Sequence, residues 1–213
     1  MYSLPAFRET DLAALHDLMR STPVANLVTC TADGLVATPL PLFLVAEEGA
    51  HGTLYGHIAK ANPQWRAPPT TDALAIFMGP DAYISPSWYA SKPIDGKVVP
   101  TYNYATVHAH GPAEFFDDAD RLLAVVTRLT DKFERARPQP WAVTDAPQDF
   151  IAAQLRGIVG VRLPIGRLEG KRKLSQNRPA EDRVRVVREL AASDRPADRA
   201  VAAMTPLPSL PDR

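Results

Sequence analysis

A chain of 213 residues with 46% apolar content can bury one sizeable core, and fits one domain or one domain with an appendage. Its 24 basic and 24 acidic residues cancel, which excludes a molecule drawn as a whole to nucleic acid or membrane by its charge. The single cysteine, Cys30, excludes an intrachain disulfide, and no apolar run approaches the roughly 18 residues of a membrane span.

Together with an N-terminus, Met1 to Pro5, that lacks the basic and apolar regions of a signal peptide, these features predict a cytoplasmic protein. The charge is unevenly spread. From Arg156 to Arg188 ten Lys/Arg face three Asp/Glu, a local hint of anion binding.

Leu12, Leu15, Leu18 and Met19 recur at helical spacing behind Thr10-Asp11, which predicts a short amphipathic helix over 11–20. Val24 to Cys30 reads as a strand, Ala32-Asp33-Gly34 as a hairpin turn, and Leu35 to Val45 as the returning strand. Pro39 and Pro41 would each remove a ladder donor from a central strand, so this segment is an edge, a bulge or a place where something else approaches. A second turn leads to a strand over 53–58, a loop or helical turn over 59–66 and a strand over 73–78, which Tyr83 to Ser85 extends after a Gly79-Pro80 break. A polar loop over 91–96 and a strand over 104–116, interrupted at Gly111-Pro112, complete a pattern of five or six strands expected of an antiparallel barrel.

The second half changes period. Leu122, Val125, Val126, Leu129 and Phe133 predict a helix over 118–137, and Phe150, Ile151 and Leu155 the inward face of another over 147–156. An alternating strand over 158–168, a basic polar loop over 170–179 and a helix over 181–192 follow. From Ser193 the chain is Ala, Pro, Asp and Arg without period, which predicts a disordered tail over 193–213 behind a single domain over 1–192. The fold class expected is α+β, mainly β: an antiparallel barrel with flanking helices.

Three segments concentrate aromatics and hydrogen-bonding groups: Gly56 to Trp65, Gly79 to Lys92, and Val99 to Tyr104. In the first, His57, Lys60 and Asn62 group donors at a strand end, an arrangement that suits a phosphate or a solvated loop. Trp65, Trp88, Tyr89, Tyr102 and Tyr104 offer flat faces to a planar ring or to the core. Thr101 and Asn103 sit two apart and share a face opposite Tyr102 and Tyr104. Lys171 to Arg178, including Gln176, is a third polar cluster that suits solvent, the edge of a flavin or a nucleic-acid phosphate, and spacing alone does not choose among them.

His108 and His110 also leave one face, but no third ligand at matching spacing is evident, so no metal is expected. Ser85, Ser87 and Ser91 lie in no nucleophile elbow, and neither a Gly-x-Gly-x-x-Gly fingerprint nor a P-loop occurs. Cys30, in an apolar strand, reads as core.

Gly56-His57 through Ala61-Asn62-Pro63-Gln64-Trp65, Phe77 through Tyr89, Val99 to Tyr104 with Val107-His108, Pro140-Trp141 with Asp145-Ala146-Pro147, and Gly170-Lys171 with Lys173 to Arg178 together resemble the PaiB family of FMN-binding negative transcriptional regulators. The matching stretches span nearly the whole ordered chain. Members usually carry Trp where Tyr102 and Arg172 stand, and Arg where Lys60 stands. Lys60 keeps the charge but gives up the bidentate fork, and Arg172 exchanges an apolar surface for a charge.

The resemblance implies an FMN-binding split β-barrel that works as a homodimer, with FMN at the subunit interface. On that reading Lys60 and Asn62, with His57 beside them, hold the phosphate, and Thr38 and the Pro39 backbone lie beneath the ring system. Trp88, Thr101, Asn103 and Gln176 complete the pocket. A regulator acting on DNA directly or indirectly is the function implied. A flavin-dependent oxidoreductase, or a haem protein with His57, His108 or His110 as axial ligand, are the alternatives.

Overall fold

The computed structural model describes residues 1–207. Along the chain run β1 (Arg8–Glu9), α1 (Leu12–Ser21), β2 (Ala25–Thr31), β3 (Gly34–Leu40), β4 (Leu42–Val45), β5 (Thr53–Ala59), β6 (Ala73–Ile84), α2 (Lys92–Asp95), β7 (Thr101–Gly111) and β8 (Glu114–Phe116). Then follow α3 (Ala119–Glu134), α4 (Gln148–Leu155), β9 (Ile158–Pro164), β10 (Arg167–Lys173), α5 (Ala180–Ala191) and α6 (Pro196–Met204). Where one domain over 1–192 is expected, the chain divides into two compact units built from discontinuous segments. The first holds Leu12–Phe77 and His108–Leu168; the second holds Met1–Asp11, Met78–Val107 and the described residues from Glu169 onward.

In the first unit, β2 lies between β3 and the opening half of β6, and β4-β5-β9-β8 form an antiparallel sheet of their own. The Ala32-Asp33-Gly34 turn is as the sequence predicts, with Gly34 at φ +115°. β3 is an edge strand, so Pro39, paired with Asn26, costs no ladder bond on its open side. The single strand expected over 35–45 is instead two, because Pro41 separates β3 from β4 and the chain changes sheet there. Gly56 lies opposite Leu42 at this corner, where a Cβ would come within 2.6 Å of the Pro41 carbonyl oxygen.

Asp118 caps α3 by accepting from the Arg121 amide at 2.9 Å. The helix buries Leu122, Val125 and Leu129 against Phe43 and Phe116, each worth roughly 1.5–3 kcal/mol. Phe133, expected on that face, is exposed, as is Phe150 of α4. α4 buries none of its residues fully, and only Leu155 at its end reaches the α3 cluster. Cys30 is half-buried instead of a full core residue.

The second unit orders its strands β1-β10-β7-β6, with β6 and β7 running on from the first unit. Gly79-Pro80 does not interrupt β6, since the fixed φ of proline is compatible with an extended strand. The polar loop expected from residue 170 is β10 as far as Lys173, and the loop over 91–96 contains the short α2, closed by Gly96 at φ +66°. The disordered tail expected from Ser193 is corrected by α6. Val201 and Ala202 bury against Val186 and Leu190 of α5 in a cluster with Ala82, Ile84, Tyr89 and Leu174. Those four apolar side chains meet although α6 alone shows little period, because a short helix needs only one buried edge. The part of that expectation covering 208–213 lies outside the described residues.

Candidate functional site

β5 ends at Ala59 and the chain turns sharply: the Asn62 amide donates to the Ala59 carbonyl at 2.9 Å, and the Lys60 amide to the Gly157 carbonyl at 2.8 Å. Pro63 at the first position of the next 3-10 turn, with Asn62 as its cap, explains why the turn forms here. The Asn62 carboxamide is engaged at both ends in shaping the site. Its Oδ1 accepts from the Gln64 amide at 2.9 Å and its Nδ2 donates to Thr38 Oγ1 at 2.9 Å.

Because Thr38 accepts from Asn62, its own O–H is left to donate elsewhere, next to Pro39 on the open edge of β3. Lys60 stands on the same turn, with its ammonium ion 3.4 Å from the exposed Asp117 carboxylate and its carbonyl accepting from Trp65 Nε1 at 3.0 Å. His57, on β5 just before the turn, is half-buried, and its Nδ1 is buried without a hydrogen-bond partner among the described residues. Burial holds its pKa below the ordinary 6.5, so the ring is neutral near pH 7. The first unit thus ties the Lys60–Asn62 turn at the end of β5 to Thr38 on the edge of β3, with His57 on β5 three residues before Lys60.

In the second unit, Asn103 is buried and donates from Nδ2 to Ser175 Oγ at 2.9 Å. Ser175 is the one non-glycine among the described residues with a positive φ, +62°. Thr101 accepts from the Lys173 ammonium, which also donates to the Tyr102 carbonyl at 2.5 Å. Burial, with Lys171 and Arg178 nearby, pushes the Lys173 pKa down. Gln176 is spent on its own loop: Oε1 accepts from the Leu174 amide at 2.7 Å and Nε2 donates to the Arg172 carbonyl at 2.5 Å. Trp88 is half-buried against the α5–α6 cluster, and Arg178 lies 4.5 Å from the centroid of the buried Tyr89 ring. Arg172, where an apolar surface is exchanged for a charge, lies 3.5 Å from Glu9.

One important residue escapes the sequence reading. Gln64 is fully buried, and its Nε2 reaches the Leu27 carbonyl at 3.1 Å, Thr29 Oγ1 at 3.0 Å and the Val36 carbonyl at 3.3 Å. It bolts the Lys60–Asn62 turn to the β2–β3 hairpin. The Asn-Pro cap signal marked the turn, but nothing local in the sequence shows that a glutamine two residues on points into a hairpin far from it in sequence.

The donor set fits FMN. Lys60 supplies a cation whose carboxylate neighbour, Asp117, is solvent-exposed and exchangeable, and Thr38 supplies an oriented hydroxyl on an edge strand.

Residues 1–167 match the family model described as "Putative FMN-binding domain". The chain is 32% identical to the Bacillus subtilis "Protease synthase and sporulation protein PAI 2", across 95% of both proteins. An uncharacterised protein of Aspergillus fumigatus is also 32% identical, covering 88% of this chain and 89% of its own. Among solved structures, an FAD and haem binding protein from Mycobacterium smegmatis superposes with a TM-score of 0.56 at 18% identity, covering 78% of this chain and 73% of its own. The flavocytochrome Anf3 from Azotobacter vinelandii gives 0.55 at 15%, with 78% and 69% covered. The fold shared with these structures is the flavin-binding split barrel, mixed α and β with antiparallel sheets.

Proposed function

This chain belongs to the PaiB family of FMN-binding split-barrel proteins, and from that membership we propose that it holds FMN as a homodimer and passes the flavin's state on as a regulator. The observation that carries the site assignment is the Asn62–Thr38 hydrogen bond, which ties the cationic turn at Lys60 to the open edge of β3. Lys60 binds the phosphate as a point charge, releasing Asp117. Asn62 orients Thr38 and caps the turn, Thr38 donates to the ring system above Pro39, and neutral His57 offers Nδ1 from the end of β5. Trp88, Thr101, Asn103 and Gln176, which the family resemblance also implicates, all lie in the second unit. Bound FMN supplies reversible electron transfer; the protein's own residues bind and orient it.

For the regulatory half, the support is family resemblance alone. An indirect route fits better than tight DNA binding. The chain's charges cancel, and α3 and α4 are joined by residues 135–147, where a helix-turn-helix uses three or four.

The test is one visible spectrum of the purified protein and a titration of the apoprotein with FMN. Flavin absorbance is expected, and Lys60→Ala should weaken FMN roughly 10- to 100-fold by removing one charge-assisted contact. Unchanged FMN affinity in Lys60→Ala would remove the phosphate assignment, and a haem Soret band in place of flavin absorbance would remove the cofactor reading. Rapid reduction of the bound flavin by a nicotinamide donor would move the reading from regulator to oxidoreductase.

A further inference from the structure

The four-stranded sheet of the first unit carries a line of side chains that the flavin site leaves unused. Register sets Phe43 opposite Tyr55, Tyr55 opposite Arg162 and Arg162 opposite Glu114, one residue from each strand in turn. Side chains at directly paired positions share a face of the sheet. On α3, Arg121, Ala124, Val125 and Arg128 recur at helical spacing and cover that line. A cleft of about 250 Å³ lies between them, closed at one side by Phe116.

Its charges do not cancel. Glu48 is committed to Arg162, 2.5 Å from its Nη2, and accepts from the Tyr55 hydroxyl at 2.7 Å. Glu114 accepts from Arg121 at 2.7 Å and from Arg162 at 3.5 Å. Three guanidinium groups against two carboxylates leave one positive charge. Arg128 carries it: among the described residues it forms no ion pair, and its guanidinium stands 5.4 Å from the centroid of the Phe43 ring. The remaining walls are aromatic. Phe43 and Tyr55 stack with centroids 5.6 Å apart at 18°, and Arg121 covers the Phe116 ring at 3.8 Å.

The geometry points to a binding site for a small planar aromatic carboxylate, its ring against the Phe43, Tyr55 and Phe116 walls and its carboxylate on Arg128. One uncompensated charge matches a monoanion better than a phosphate dianion, and a guanidinium receives a carboxylate in a bidentate fork. Pockets for drug-sized ligands run from about 300 to 1,000 Å³, so this smaller cleft takes a single ring. No residue is shared with the Lys60–Asn62 group, so the site stands independently of the flavin reading.

Calorimetric titration of the FMN-loaded full chain with benzoate tests it. Saturable binding is expected, with acetate (charge without ring) and benzyl alcohol (ring without charge) each at least about tenfold weaker. Arg128→Gln, on the exposed side of α3, should weaken benzoate by about tenfold or more. Ala124→Leu, also on the exposed side, should abolish binding by filling the cleft. The proposal is overturned if benzoate shows no saturable binding, if Arg128→Gln binds it as well as the parent protein does, or if acetate binds equally.

Discussion

Asn62 contributes more as a scaffold than as a direct ligand, because both ends of its carboxamide are engaged within the protein. Asn62→Ala should lower stability by about 1 kcal/mol through the lost cap, measured by urea denaturation, and should weaken FMN as well because Thr38 loses its orientation. Lys60→Ala, in contrast, should leave the denaturation midpoint nearly unchanged, since its exposed pairing with Asp117 contributes little. The two variants therefore separate shaping the site from binding in it. His57 adds a pH dependence. Its folded pKa lies below the unfolded 6.5, so the unfolded chain binds more protons as pH falls through that value. Its contribution is present above about pH 6.5 and declines below it. His57→Gln should flatten that part of the stability–pH curve, and identical curves for the two proteins would refute the burial argument.

At the level of elements, the corner at Pro41 decides where the site can exist. β3 and β4 would be one strand without it, and the edge carrying Thr38 and Pro39 would continue into the β4–β5 ladder. Gly56 permits the corner by leaving room for the Pro41 carbonyl, which a methyl group would approach to 2.6 Å. Since that neighbour is backbone and cannot swing aside, Gly56→Ala should cost roughly 1–3 kcal/mol and should lower FMN affinity by displacing the β3 edge. A variant that keeps parental stability and affinity would show that the corner is plastic. Gln64 does for the turn what Gly56 does for the corner, holding the 3-10 segment to β2 and β3 from inside.

For the whole molecule, the proposed dimer predicts a solution mass of twice the 23.3 kDa chain by light scattering, and one FMN per chain by absorbance. On the edge strand β3, Leu35 is 76% exposed, the kind of apolar surface that a second copy would cover. A monomer that binds FMN normally would remove the dimer from the proposal. How much of this was legible beforehand follows the range of the forces involved. The α1 and α3 patterns, the Asp-Gly hairpin, the Asn62-Pro63 start and the prolines marking an edge are properties of neighbouring residues, so the chain displays them locally. The family motifs, read as long runs of unusual residues, pointed to the flavin fold for the same reason. Cross-strand register is different, because it depends on which distant segments pair. The row Phe43–Tyr55–Arg162–Glu114, Gln64 inside the β2–β3 hairpin and α6 buried on α5 join residues whose separation along the chain carries no periodic signal. Packing and buried hydrogen bonds settled those, since a polar group removed from water must find its partner wherever the fold brings one.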